Sequence, residues 1–220
     1  MRLPLRRAVL SAALAVTTAA ALAVALAPAQ AAQTPTISAP ASTSGYSTIV
    51  ITGTATPGAT VELYESAYVF HDLKPAVDWA NTGDLVTTTA AANGTYRISR
   101  WVDTGFLFAV QVDGVMSKTV TVRDKLVPIL TLSSTKAGKV TAKMVATPAQ
   151  PWVAVQIQRK NSNGTWSVVA RGYTSAPGAF TATLTKLKSK KTYTYRAWLG
   201  GDTESALLAA YSSAHSIKVK

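Results

Sequence analysis

The stretch Ile51-Thr-Gly-Thr-Ala-Thr-Pro-Gly-Ala-Thr-Val-Glu-Leu-Tyr64 decides the fold class. Val61 and Leu63 alternate with Glu62 and Tyr64, a period of two that suits a half-buried strand and not a helix. Ile49 and Ile51 alternate in the same way with Val50 and Thr52. Between the two runs, Thr56-Pro57-Gly58 is turn chemistry: proline presets φ and glycine tolerates the left-handed region. Strand, turn, strand is the unit, and the rest of the chain repeats it.

Downstream, Tyr96 and Ile98 alternate with Arg97 and Ser99, and Phe106, Phe108, Val110 and Val112 with their polar or small neighbours. Thr119, Thr121 and Arg123 leave Val120 and Val122 on the opposite face. A second series opens at Leu130 and Leu132. It continues through Val140, Ala142 and Met144, then Val153, Val155 and Ile157, then Trp166, Val168 and Ala170. Phe180, Ala182 and Leu184 follow, then Tyr193, Tyr195, Ala197 and Leu199, with Ile217 and Val219 last. Asn93-Gly94, Asp113-Gly114 and Asn163-Gly164 separate such runs; both Asn-Gly pairs read as type I′ hairpin turns and not as glycosylated sequons. Two sets of short strands with turn signals predict two β-sandwiches, residues 32–125 and 126–220. Arg123-Asp124-Lys125 is the expected junction.

The run Ile51–Tyr64 resembles the opening strands of bacterial immunoglobulin-like modules. Thr192-Tyr193-Thr194-Tyr195-Arg196-Ala197 is similar to the sixth strand of fibronectin type III and related sandwiches. The resemblance implies an all-β fold of two tandem immunoglobulin-like sandwiches, of the kind found in secreted proteins of high-GC Gram-positive bacteria. It implies that Tyr193 is the corner tyrosine, its hydroxyl tied to nearby backbone. Tyr195 stands where an antibody domain carries its second cysteine, so the likeness is one of architecture. Such modules serve as spacers, adhesion modules or protein-binding modules.

Composition narrows the function classes. The chain of 220 residues has no cysteine and two histidines, which excludes disulfide scaffolds and thiol chemistry and leaves little for imidazole catalysis. Residues 1–31 read as a cleaved secretory signal: basic Arg2, Arg6 and Arg7, an Ala/Leu/Val run, and Ala29-Gln30-Ala31 as the cleavage site. The expected mature chain is extracellular, with no membrane-spanning segment.

The segment from Ser66 to Asp84 is long for a sandwich connection, and long connections are often functional. Tyr68, Phe70, His71, Asp72, Asp78 and Trp79 concentrate there as a candidate partner-binding set. Aromatic rings bury much area with few rotors, so they suit an anchor for a partner or a sugar face. The other reading has Phe70, Val77 and Trp79 tucked under the segment as a small satellite core. Asp72, Asp78 and Asp84 are hard oxygen donors, but their spacing lacks the tight pattern of a calcium loop, so no metal and no cofactor is expected. No Gly-x-Ser-x-Gly elbow is present, and Glu62 and Glu65 fall on opposite strand faces; the chain is not expected to be an enzyme.

Charge is sharply divided. Residues 32–125 carry 6 basic and 8 acidic side chains, a net of −2, and residues 126–220 carry 13 basic and 2 acidic, a net of +11. Such asymmetry points to an acidic partner for the second half, although lysines on sandwich edges also discourage aggregation. Lys160, Lys186, Lys188, Lys190, Lys191, Arg196 and Trp198 are the candidate polyanion-binding residues, with Lys160, Arg196 and Trp198 expected in one cationic–aromatic patch. The sequence thus predicts a secreted, non-catalytic binding protein. Its expected partner is another secreted or surface protein, or an anionic cell-wall polymer, with no small-molecule substrate. The alternative is an adaptor subunit of a large secreted, toxin-like assembly.

Overall fold

The computed structural model describes residues 33–220, so the expected signal segment lies outside the described residues. These residues form strands and turns, with no helix among them. The first half holds β1 (Ser42–Ser44), β2 (Ser47–Thr54), β3 (Thr60–Ala67), β4 (Lys74–Pro75), β5 (Thr87–Thr89), β6 (Thr95–Val102), β7 (Phe106–Val112), β8 (Val115–Met116) and β9 (Val120–Lys125). The second holds β10 (Val127–Ser133), β11 (Val140–Thr147), β12 (Ala154–Lys160), β13 (Trp166–Tyr173), β14 (Ala179–Leu184), β15 (Thr192–Leu199), β16 (Leu207–Leu208), β17 (Ala210–Tyr211) and β18 (His215–Lys218).

Each half is a sandwich. In the first, β2 and β6 pair along their full length, and a bridge from Ser38 to Thr52 adds the N-terminal segment. The facing sheet runs β1-β9-β7-β3, with β4 and β5 on the outer edge of β3. Ile49, Ile51 and Ile98 from one sheet meet Leu63, Phe108, Val110 and Val122 from the other in one buried cluster. In the second half, the three-stranded sheet β10-β11-β14 faces β13-β12-β15, with β17 and β18 on β15. First, second and fifth strands therefore share one sheet, and third, fourth, sixth and last share the other, the immunoglobulin-like arrangement. Met144, Ile157, Tyr195 and Leu199 centre the second cluster.

The period-two alternation translates into burial almost throughout, but three local expectations change. At Asn93-Gly94 and Asn163-Gly164 only the glycine has positive φ, while the Gly94 N–H donates to Ala91 O (2.8 Å) and the Gly164 N–H to Asn161 O (3.0 Å). These are longer loops with glycine in the left-handed position, not type I′ turns, which need positive φ at both central residues. Asp113-Gly114 does have φ of 49° and 78° and closes the two-residue hairpin between β7 and β8. In β13 the register shifts beside Ile157 and Gln158, so one extra residue reverses the alternation. Val169 consequently packs on the core, and Trp166 lies on the outer face.

With no cysteine to staple the sheets, tyrosines take up part of that role. The Tyr96 hydroxyl donates to Thr36 O at 2.5 Å, binding the N-terminal segment to β6, and burial pushes its pKa up to about 12 so that it stays a donor. Gly53 makes room for this contact, since a Cβ there would lie 2.0 Å from Thr36 O. Tyr193 accepts a hydrogen bond from the Lys188 N–H at 3.1 Å, the corner contact its position implies. Tyr195 is fully buried, and its hydroxyl has no hydrogen-bond partner among the described residues.

The two sandwiches are coupled at β9. Arg123–Lys125 pair in parallel with Ser42–Ser44, while Asp124 and Lys125 also pair in parallel with Leu207 and Leu208 of the second half. A single residue, the buried Leu126, separates β9 from β10. Gly105 lies against the Ser205–Ala206 backbone, where a Cβ would come within 2.4 Å of Ser205 O. Asp124 sits inside this joint with no exposed surface and, among the described residues, no hydrogen-bond partner for either carboxylate oxygen. Burial raises its pKa from 3.8 to about 6; the nearby Gly45 N–H offsets part of this, and the Asp103 carboxylate adds to it.

Because the folded-state pKa lies above the unfolded one, the native chain binds the proton more tightly, and stability falls as pH rises from about 4 through about 6. Thermal melts of Asp124→Asn should lose that pH dependence and exceed the parent above pH 7; an unchanged pH profile would contradict this account of the joint. Tyr195→Phe removes an unpaired buried hydroxyl. Denaturant unfolding should show it as stable as the parent or more so, by up to about 1 kcal/mol.

Candidate binding surfaces

The segment after β3 is not a free loop. The Ala76 N–H donates to Leu63 O (2.8 Å), Lys74 and Pro75 pair with β3, and Val77 bridges to Leu85. The backbone runs back along the open edge of β3 and satisfies it, a requirement that sequence spacing does not reveal. Within this fold-back, Asp78 O accepts from the N–H groups of Asn81 (3.3 Å), Thr82 (3.2 Å) and Gly83 (2.8 Å). Its carboxylate accepts from Asn81 Nδ2 at 3.0 Å to each oxygen. Asp78 is thus engaged in shaping the turn that carries Trp79.

Phe70 and Trp79 are not covered: their relative exposures are 74% and 83%. Both line an open cleft of about 750 Å³ with Glu65, Lys74 and Phe106. Trp79 also borders a second cleft of about 440 Å³ with Arg100 and Trp101. Arg100 and Glu65 form a two-point ion pair between the clefts, Arg100 Nε donating to Oε2 at 2.7 Å. Trp101 stacks on Tyr46, with ring centroids 5.5 Å apart and planes 13° from parallel. Neither Trp101 nor Tyr46 stands out in the sequence; the signal is Trp101 at an outward position on β6.

The remaining residues of this set are differently occupied. Tyr68 meets the His71 ring edge-on at 4.7 Å and faces a separate recess of about 220 Å³ at the joint, with Arg123 and Asp202. Asp72 pairs with Lys74 at 3.0 Å. Asp72, Asp78 and Asp84 do not converge, and among the described residues no three His, Asp or Glu side chains gather as metal ligands.

In the second sandwich, β12 and β15 are neighbours, with Gln158 opposite Arg196 and Gln156 opposite Trp198. Arg196 is held between aromatics, its guanidinium 4.4 Å from the Trp166 ring centre and 4.1 Å from that of Tyr211. Its Nε donates to Gln158 Oε1 at 2.8 Å. Arg196 and Trp198 therefore belong to an outer-face ladder, apart from the main basic cleft. That cleft, of about 680 Å³, lies where the β12–β13 turn meets the start of β15. It brings together Lys160, Lys188 and Lys191, but not Lys186 or Lys190, and it adds Arg159, Asn161, Tyr193 and Thr194. Alternation places Arg159 with the core-facing residues of β12; at the strand end that face opens into the cleft.

No family model matches the chain, and no curated protein matches it. Among solved structures, the chicken interferon gamma receptor alpha chain is similar over 86% of this chain and 99% of its own, with 12% identity and a TM-score of 0.45. A tetra-tandem repeat from the extending region of a large adhesion protein is similar over 84% of this chain, with 18% identity and a TM-score of 0.39. The matched chain spans about half the length of that adhesin fragment. Among the described residues, no helix is long and apolar enough to cross a membrane.

The turn carrying Trp79 depends on Asp78. Replacing Asp78 with Ala should speed amide hydrogen exchange at Asn81–Gly83 while costing the sandwich no more than about 1 kcal/mol. Unchanged protection at those amides would show that the turn holds without the carboxylate.

Proposed function

We propose that the chain is a secreted, non-catalytic binding protein of two immunoglobulin-like domains, residues 32–125 and 126–220, following a signal segment at 1–31. The division is supported by two buried clusters, one ending at Val122 and the next beginning at Leu126. The observation that carries the binding role is the presentation of Phe70 and Trp79. A backbone pinned to β3 holds both rings in solvent beside an open cleft, although folding alone would favour burying them. Rigid aromatic anchors of this kind are what a protein partner's pocket engages. The first domain would take another secreted or surface protein through Phe70 and Trp79, on the segment whose turns Asp78 and the Tyr68–His71 pair help to shape. The basic second domain would add attraction to an anionic cell-wall polymer.

A second reading, an adaptor in a large secreted assembly, is favoured by β10. It is an edge strand of its sheet with Val127 and Ile129 exposed, open to an added strand.

Affinity capture from native supernatant and cell wall, analysed by mass spectrometry, identifies the partner. The double variant Phe70→Ala/Trp79→Ala should lose capture while its thermal transition stays cooperative and near the parent's. Loss of the fold would instead make the two rings structural. Polyanion binding by the intact protein should weaken steeply between low and high salt. Sizing of the supernatant separates the two readings: a monomer supports the free binder, and a high-mass complex the adaptor.

A further inference from the structure

The 13 cations of residues 126–220 form no ion pair among the described residues. The only acidic side chains in that half, Asp202 and Glu204, follow the far end of β15 from the basic cleft. Eight residues of extended strand separate the two ends, roughly 25 Å. The cleft between the β12–β13 turn and the start of β15 therefore has four cations, Arg159, Lys160, Lys188 and Lys191, with no acid in its lining. Electrostatic repulsion among four unpaired cations disfavours this arrangement in the free protein, and an anion relieves it.

The cleft is also organised. Tyr193 fixes the Lys188 corner through its hydroxyl, and its ring holds Lys191 Nζ at 5.4 Å and the Arg159 guanidinium at 5.7 Å. Asn161 is anchored by its own side chain, which donates to Thr165 Oγ1 (2.9 Å) and Ser167 Oγ (2.7 Å). Two rotamer-rich cations are thus positioned before any ligand arrives, which lowers the ordering cost of binding. An arginine fork beside lysine point charges suits tetrahedral phosphate oxygens.

We propose that this cleft is a binding site for a polyol-phosphate chain, a flexible polymer of phosphodiester-linked sugar alcohols. The assignment rests on the polyanion attraction proposed above and gives it a location and a ligand class. An open cleft of about 680 Å³ admits successive phosphates of a continuous chain. The lining disfavours nucleic acid, because its one ring, Tyr193, is already engaged by Arg159 and Lys191, and single-strand binders need free ring faces for the bases.

Titration calorimetry of the mature chain with short poly(glycerol phosphate) oligomers tests this. Arg159→Ala/Lys191→Ala, and independently Lys160→Ala/Lys188→Ala, should each weaken binding by about tenfold or more, the scale of lost charge-assisted contacts. The charge-matched control Lys143→Ala/Arg171→Ala, which lies outside the cleft, should change it by less than about threefold. Equal losses in control and cleft variants would overturn the site while leaving general polyanion attraction intact. Tighter binding of oligo(dT) or of a sulfated polysaccharide than of the polyol phosphate would overturn the ligand class. Absence of binding to all three polymers would overturn both this inference and the polyanion role.

Discussion

The structure depends on the backbone hydrogen bonds of β9. This strand closes the first sandwich against β7, receives β1 on one edge and β16 on the other, and passes into β10 through one buried residue. Its last residues are saturated by chain from both halves. Backbone N–H and C=O groups buried there have no alternative partner, so the halves cannot part without exposing them. Asp124 shows the cost: a carboxyl with no hydrogen-bond partner among the described residues lies where β9 is paired on both edges.

Absence of cysteine shifts stability onto packing and onto buried phenols. Tyr96 and Tyr193 each use the hydroxyl to hold a chain segment that a disulfide would hold in many exported sandwiches. Tyr195 fills the cross-sheet position with volume alone. Aromatic bulk thereby serves the core, and the outward rings, Phe70, Trp79 and Trp101, remain as surplus that folding does not consume.

Alternation made most strands legible, because a strand with one buried face must repeat every second residue. Neighbouring placement of Gln158 with Arg196 follows from sandwich topology and the inward facing of Tyr195. Other features depend on contacts that sequence spacing cannot carry. The fold-back of Ser66–Asp84 is set by the unpaired edge of β3 and by the Asp78 turn. A one-residue bulge turned Trp166 outward, where its ring meets the Arg196 guanidinium. The basic cleft joins two turns roughly 30 residues apart, and β16 meets β9 across some 80 residues of chain. Charge asymmetry was visible in composition, whereas convergence of four of those charges required the fold.

The parallel pairing of β1 with β9 has a mechanical consequence. Tension between the chain's two ends pulls β1 backward and β9 forward along their common axis. Their hydrogen bonds lie across that axis and are loaded together in shear, not opened one at a time as in a peeled hairpin. Anchoring the far end of the protein to a polymer would therefore place force on the ladder in its most resistant direction.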